Sequence, residues 1–237
     1  MKHYEFYDTL SDQTHVMIGG STGSGKSVVE SGIIYNLAQN YTPDEVEMWF
    51  IDPKKTELVK REWLPHVAHY ADDDRDAVLL LDLLIHEMDK RNAEVQSMIR
   101  NGHAVDVYPG RAIYCFIDET ADVIGRQGKE VLKKFQLIVQ MARSANIHMV
   151  FCSQCFDAKM IPSHTACNIT CTVGLYCVRN KPHISRTLVG NMDCCKLPKH
   201  GKCVLVTPDD YDVVDVPMYT EEDWNELRKT TLLRRVI

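Results

Sequence analysis

From Gly20 to Ser27 the chain reads Gly-Ser-Thr-Gly-Ser-Gly-Lys-Ser: a glycine, four residues, then Gly25-Lys26-Ser27. Glycines at 20, 23 and 25 let the backbone curl so that the N–H groups of Ser21, Thr22, Gly23 and Ser24, and those onward through Val28, converge on a phosphate. A helix beginning at this point would offer its positive end to the same anion. Lys26 is expected to bridge the β- and γ-phosphates of ATP, and Ser27 to hold Mg²⁺ through its hydroxyl. A magnesium site needs a second anchor, and hydrolysis needs a group that orients water. Asp118 and Glu119 close an apolar run and supply both: Asp118 as metal ligand through water, Glu119 as general base. Gln154 ends another apolar run, where a neutral amide could sense the γ-phosphate or position water. Each reading has a plain alternative: a solvated Gly/Ser turn, two acids capping the next helix, and a surface amide.

These groups work only if strands and helices bring them together. Short apolar runs alternate with longer amphipathic stretches, the rhythm of an α/β protein with a mostly parallel sheet and helices on its faces. Strands are expected at His15–Gly20, Glu47–Asp52, Arg111–Asp118 and His148–Ser153. Helices are expected at Lys26–Gln39, Asp72–Arg100 and Lys129–Ala145. In the second helix Val78, Leu81, Ile85 and Met88 fall on one face, acids crowd the start, and Asn101-Gly102 stops it. Beyond Pro162 the pattern weakens into an irregular third with short β candidates at Thr170–Cys177, Lys202–Val206 and Asp212–Val216. We expect residues 1–14 to be a lead-in, 15–220 one ATPase domain, and 221–237 a basic amphipathic helix that docks on its own domain or a neighbour through Trp224, Leu227 and Leu232.

The 237 residues are 45% hydrophobic and 25% charged, with 12 glycines and 9 prolines, which excludes collagen, coiled coil and disorder. No run approaches the ~18 apolar residues of a membrane helix, and the first ten residues lack the apolar core of a signal peptide. The nine cysteines are therefore expected as reduced thiols in the cytoplasm. Cys152 and Cys155 have two-residue metal spacing, but Cys152 lies within an expected strand, so the two thiols should face apart. A net charge of −6 gives nucleic-acid binding no support, yet is compatible with it where a few cations are local.

The motifs together resemble the FtsK/SpoIIIE family of hexameric DNA translocases, within the HerA/FtsK group of ATPases. The likeness runs over residues 8 to 206, through HVMIGGSTGSGKS, FIDPKKTEL (Phe50–Leu58), LPHV (Leu64–Val67), HEMDKR (His86–Arg91), FIDETADVI (Phe116–Ile124), MARSANIHMVFCSQ (Met141–Gln154) and ISRTLV (Ile184–Val189). It implies a RecA-like motor in a homo-oligomeric ring, with ATP between subunits and double-stranded DNA in the central pore. It also implies an arginine acting on the neighbour's nucleotide, for which Arg143 and Arg186 are the candidates. Asp52 and Lys54 would line the subunit interface near the nucleotide, the alternative being a salt-bridged turn. After the fourth strand the family usually reads Gln-Arg-Pro, whereas here Gln154 is followed by Cys155-Phe156. The membrane segment and the winged-helix guide are absent from these residues, so a minimal motor of a mobile element or phage, or a piece of a longer chain, is expected, with any membrane partner separate. Candidate DNA contacts are Lys159 and the turn from Arg126 to Lys129, with Lys133 and Lys134 beyond it. The rival readings are protein export of type VII kind and an inactive nucleotide-binding scaffold subunit.

Overall fold

In the stretch Ala112–Ile117, Ile113, Cys115 and Ile117 pack into one buried cluster and Tyr114 and Phe116 into another. Side chains of a strand alternate between faces, so a run apolar at every position must be covered on both. The computed structural model describes residues 3–156 and 160–234. The elements are α1 (His3–Ser11), β1 (His15–Gly19), α2 (Lys26–Asn40), β2 (Val46–Ile51), a 3₁₀ turn at Leu58–Arg61, β3 (Val67–Ala71), α3 (Asp74–Arg100), β4 (Ala112–Ile117), α4 (Thr120–Gln127), α5 (Lys129–Met141), β5 (Ile147–Ser153), α6 (Ser163–Ala166), β6 (Cys171–Gly174), α7 (Pro182–Val189), a second 3₁₀ turn at Asp193–Cys195, β7 (Lys202–Val206), β8 (Tyr211–Asp215) and α8 (Glu221–Arg234).

One eight-stranded sheet has the order β3-β2-β4-β5-β1-β6-β7-β8. The strands from β3 to β6 in that order run parallel, and β7 and β8 close the sheet antiparallel. Helices α3, α4, α5 and α7 cover one face through residues such as Leu84, Val123, Phe135 and Leu188. On the other face Phe6, Tyr7 and Leu10 of α1 join Ile33 and Leu37 of α2 and Trp224 and Leu227 of α8. Gly32 of α2 is required there, because the Tyr7 ring occupies the space a Cβ would need. Burial of Phe6, Tyr7 and Leu10 ties α1 to the core by about 1.5–3 kcal/mol per side chain. At the other end Arg61 lies over the Trp224 ring, 3.6 Å from its centroid, and holds α8 down.

The amino-terminal ends of the parallel strands are locked by hydrogen bonds. Arg91 of α3 is buried; its Nη1 donates to the carbonyls of Arg111 at 2.9 Å and Ala145 at 3.2 Å, while Nε pairs with Glu87 at 2.9 Å. His15 accepts from the Met149 N–H at 3.0 Å, and His148 stacks on Tyr114 with centroids 4.3 Å apart. Burial holds the His15 imidazole neutral, with its pKa lowered to about 3.

The main strand and helix assignments from sequence match these elements to within a few residues. Missed were α1, α4, α6, α7 and β3, the last a half-exposed edge strand in which His69 breaks the apolar signal. Seven of the cysteines are buried and all nine are free, with only Cys155 and Cys167 exposed. Among the described residues no thiols gather into a metal site; the one group of three close potential ligands is Asp72, Asp73 and Asp76. No helix among the described residues is long and apolar enough to cross a membrane.

Candidate functional site

Parallel register determines where the chemistry converges. Gly19 pairs with Ser153, Ile117 with Phe151, and Ile51 with Ile117. The residues that follow each strand, Gly20, Gln154, Asp118 and Asp52, therefore leave the sheet along its carboxyl edge, where ligands of parallel α/β sheets bind.

The loop from Gly20 to Ser27 has the backbone its glycines predict. Gly23 and Gly25 have φ of 71° and 104°, in the left-handed region that favours glycine. A Cβ on Gly20 would stand 2.8 Å from that of Leu175, so the loop must pass close to the segment after β6. The Ser21 N–H donates to the Tyr176 carbonyl at 2.9 Å and its Oγ accepts from the Val178 N–H at 3.0 Å, pinning the loop from the side. Lys26 folds back and donates to the Gly20 carbonyl at 3.1 Å. The first turn of α2 holds no acid, so its positive end is not neutralised from within.

Asp118 and Glu119 directly follow β4. Glu119 has φ 53° and ψ 57°, a left-handed backbone costing a residue with a Cβ roughly 1–2 kcal/mol. This conformation turns its carboxylate toward β5, where Oε1 accepts from the Ser153 hydroxyl at 3.0 Å and the Gln154 N–H at 2.9 Å, and Oε2 from the Gln154 side-chain amide at 2.9 Å. The Gln154 amide oxygen accepts in turn from the Thr22 hydroxyl. A continuous hydrogen-bonded path thus joins the acid, the amide and the phosphate loop across three strands. The sequence named all three residues but gave no sign that Ser153 completes the carboxylate's partners.

Carboxyl groups gather beneath the loop. Burial first, then Asp52, Glu119 and Glu57, push the Asp118 carboxyl up to about 6 against the opposing charge of Lys54. Glu30 of α2 is buried, and desolvation with Asp118 nearby holds its carboxyl well above the usual carboxylate range. A divalent cation would suit this cluster by favouring the ionised form of Asp118, with the Ser27 hydroxyl and the Asp118 carboxylate as hard oxygen ligands of the kind Mg²⁺ takes. When bound, the ion would offset the charge developing on a transferring phosphoryl group.

Asp52 departs from expectation. It is fully buried, and its Oδ2 accepts from the N–H groups of Thr56 at 3.0 Å, Glu57 at 3.1 Å, Leu58 at 3.0 Å and Val59 at 3.4 Å. It knots the turn that follows β2 and cannot form a subunit surface. Lys54 lies 2.8 Å from Asp122 and 3.9 Å from Glu119. Both arginine candidates are exposed. Arg143 precedes β5 and so belongs to the opposite edge of the sheet from the phosphate loop, whereas Arg186 is on α7, the helix whose Leu188 fills the space above Gly19. Arg126 pairs with Asp74 at 3.4 Å and Lys134 with Asp82 at 2.7 Å; Lys129 and Lys133 are exposed. Lys159 lies outside the described residues.

The model of the family described as FtsK/SpoIIIE matches residues 1–111. The DNA translocase FtsK of Staphylococcus epidermidis is 32% identical over 212 residues, covering 83% of this chain and 26% of the relative. The chain thus spans about a quarter of the length of the curated relatives it matches. Among solved structures, the pCW3 conjugation coupling protein TcpA with ATPγS superposes with a TM-score of 0.74 at 20% identity, over 93% of this chain and 66% of that one. The cytoplasmic domain of the Thermomonospora curvata type VII secretion ATPase EccC superposes with a TM-score of 0.71 at 20% identity, over 86% of this chain and 25% of that one. These two likenesses are of fold.

Proposed function

Because the chain carries an ATPase domain of the FtsK/SpoIIIE family, we propose that it is an ATP-hydrolysing motor that moves double-stranded DNA as a homo-oligomeric ring, most simply a hexamer, in the cytoplasm. The observation that carries the DNA reading is sequence likeness: at 32% identity over 83% of the chain, the relatives are named as DNA translocases. The secretion ATPases share the fold at a lower 20%.

In this reading the N–H groups of the loop from Gly20 to Val28 bind the triphosphate of ATP, Lys26 moves from the Gly20 carbonyl to the β- and γ-phosphates, and Ser27 and Asp118 hold Mg²⁺. Glu119 takes the proton of the attacking water, and Gln154 holds both that carboxylate and Thr22, so occupancy of the γ-phosphate position is felt at the base. The closed path from Glu119 to Thr22 favours a working hydrolase over an inactive scaffold. A parallel sheet with the loop at one edge and Arg143 at the other suits a head-to-tail ring, in which one copy's arginine completes the next copy's site. Arg186, on the loop's side, remains the alternative finger, and of the described candidate contacts the exposed Lys129 and Lys133 are placed to meet the DNA backbone.

The deciding experiment is ATP turnover with and without linear duplex DNA, with ring formation followed by sedimentation. Stimulation by DNA supports the translocase. Turnover without stimulation, together with binding of a secreted helical-hairpin protein, turns the reading to export, and tight ATP binding with negligible turnover turns it to a scaffold.

A further inference from the structure

The connection leading into β7 carries three lysines with different fates. Lys196 pairs with Asp193 at 2.7 Å and Lys202 with Asp215 at 2.7 Å. Lys199, exposed between them, has no acidic partner among the described residues. The end of its side chain lies instead beside the phosphate loop. A Cβ built on Gly23 would lie 3.9 Å from Lys199 Nζ and 3.8 Å from its Cε.

The segment holding it there is short and anchored at both ends. Cys195 and Leu197 are buried, Pro198 fixes its own φ, and Gly201 turns the chain at φ 82° while its carbonyl accepts from the Val216 N–H at 2.9 Å. The neighbouring His200 lines a cavity of about 360 Å³ whose other walls include Ser24, Gly25 and Val28 of the loop and its helix, with Leu175 and Met218. Its walls are largely apolar and one borders the loop, which suits the base of a nucleotide. Phosphates extending from that cavity along Gly25 reach Gly23, where the Lys199 ammonium waits.

We propose that Lys199 is a second phosphate-contacting lysine, acting on the nucleotide of its own subunit from the strap ahead of β7 and separate from Lys26, which rests on the Gly20 carbonyl. The proposal rests on the ATP-binding reading of the loop. An unpaired cation beside converging N–H groups and a helix N-terminus makes charge-assisted hydrogen bonds to an anion that reaches it. Two consequences follow: its contribution grows with the number of phosphates on the ligand, and the strap between α7 and β7 becomes sensitive to what the site holds.

The test is calorimetric binding of ATP, ADP and AMP to the whole chain, wild type and the variants Lys199→Gln, Lys199→Arg and Lys26→Ala. Lys199→Gln should weaken ATP about tenfold, as loss of one charge-assisted hydrogen bond implies, weaken ADP less, leave AMP unchanged and keep the wild-type melting temperature. Lys199→Arg should recover most of the ATP affinity. Unchanged ATP affinity in Lys199→Gln, or equal weakening of all three nucleotides, overturns the proposal while leaving the loop reading intact if Lys26→Ala still abolishes binding. Failure of the wild type to bind ATP at all overturns both.

Discussion

The two ends of the parallel strands are finished in opposite ways. At the amino ends charges meet matched partners: Arg91 satisfies two carbonyls and Glu87, and Tyr114 donates to the Ser11 carbonyl at 2.8 Å. At the carboxyl ends the balance is left open. Asp118 is crowded by acids, and Asp52 Oδ1, Glu30 Oε1 and Ser24 Oγ are buried with no hydrogen-bond partner among the described residues. Buried polar atoms are ordinarily satisfied; His15 Nε2 is one exception at the amino edge, while at the carboxyl edge three accompany the crowded Asp118, an arrangement a bound ligand could complete. The same sheet thus spends its amino edge on stability and keeps its carboxyl edge for binding.

Four variants would break or sharpen that contrast. The largest effect is expected of Glu119→Gln, which should bind ATP yet lose about 10²–10⁴-fold in turnover, with its melting temperature little changed; wild-type hydrolysis would remove Glu119 as the base. Arg91→Met should do the reverse. It strands the carbonyls of Arg111 and Ala145 and should cost about 3 kcal/mol in a denaturant titration, while turnover per folded molecule stays normal. A fall in turnover of the folded protein would mean the two edges are coupled.

His15 adds a pH dependence. Its folded pKa of about 3 lies below the ordinary value of about 6.5, so between those values the unfolded chain binds the extra proton. Stability should then fall as pH drops through that window, by up to about 1.4 kcal/mol per pH unit. His15→Asn should flatten this slope in thermal melts between pH 7 and pH 4; an unchanged slope would assign the acid sensitivity elsewhere. The smallest effect is expected of Gln154→Ala. Glu119 keeps Ser153 and a backbone N–H as partners, so turnover should fall only about tenfold, chiefly in kcat, and an unaltered kcat would show that the path to Thr22 is idle.

Much of this was legible from sequence because it depends on spacing. The glycine pattern dictates the loop, and an unbroken apolar run of strand length dictates β4. Once the sheet is parallel, residues ending apolar runs must share an edge. What escaped notice depends on three-dimensional neighbours. Asp52 reads from sequence as an interface acid because nothing in IDPKKTEL announces four amides folding back onto it. Lys199 sits in an irregular segment where one lysine resembles the next, and only the folded chain separates it from Lys196 and Lys202.

The distribution of thiols offers an experimental handle. With seven cysteines shut in the core, a maleimide dye added to the native protein has two destinations, Cys155 and Cys167. Cys155 directly follows Gln154, so after Cys167→Ser the unaltered active edge carries its own attachment point for a fluorophore. Emission from that single label could follow nucleotide exchange in real time.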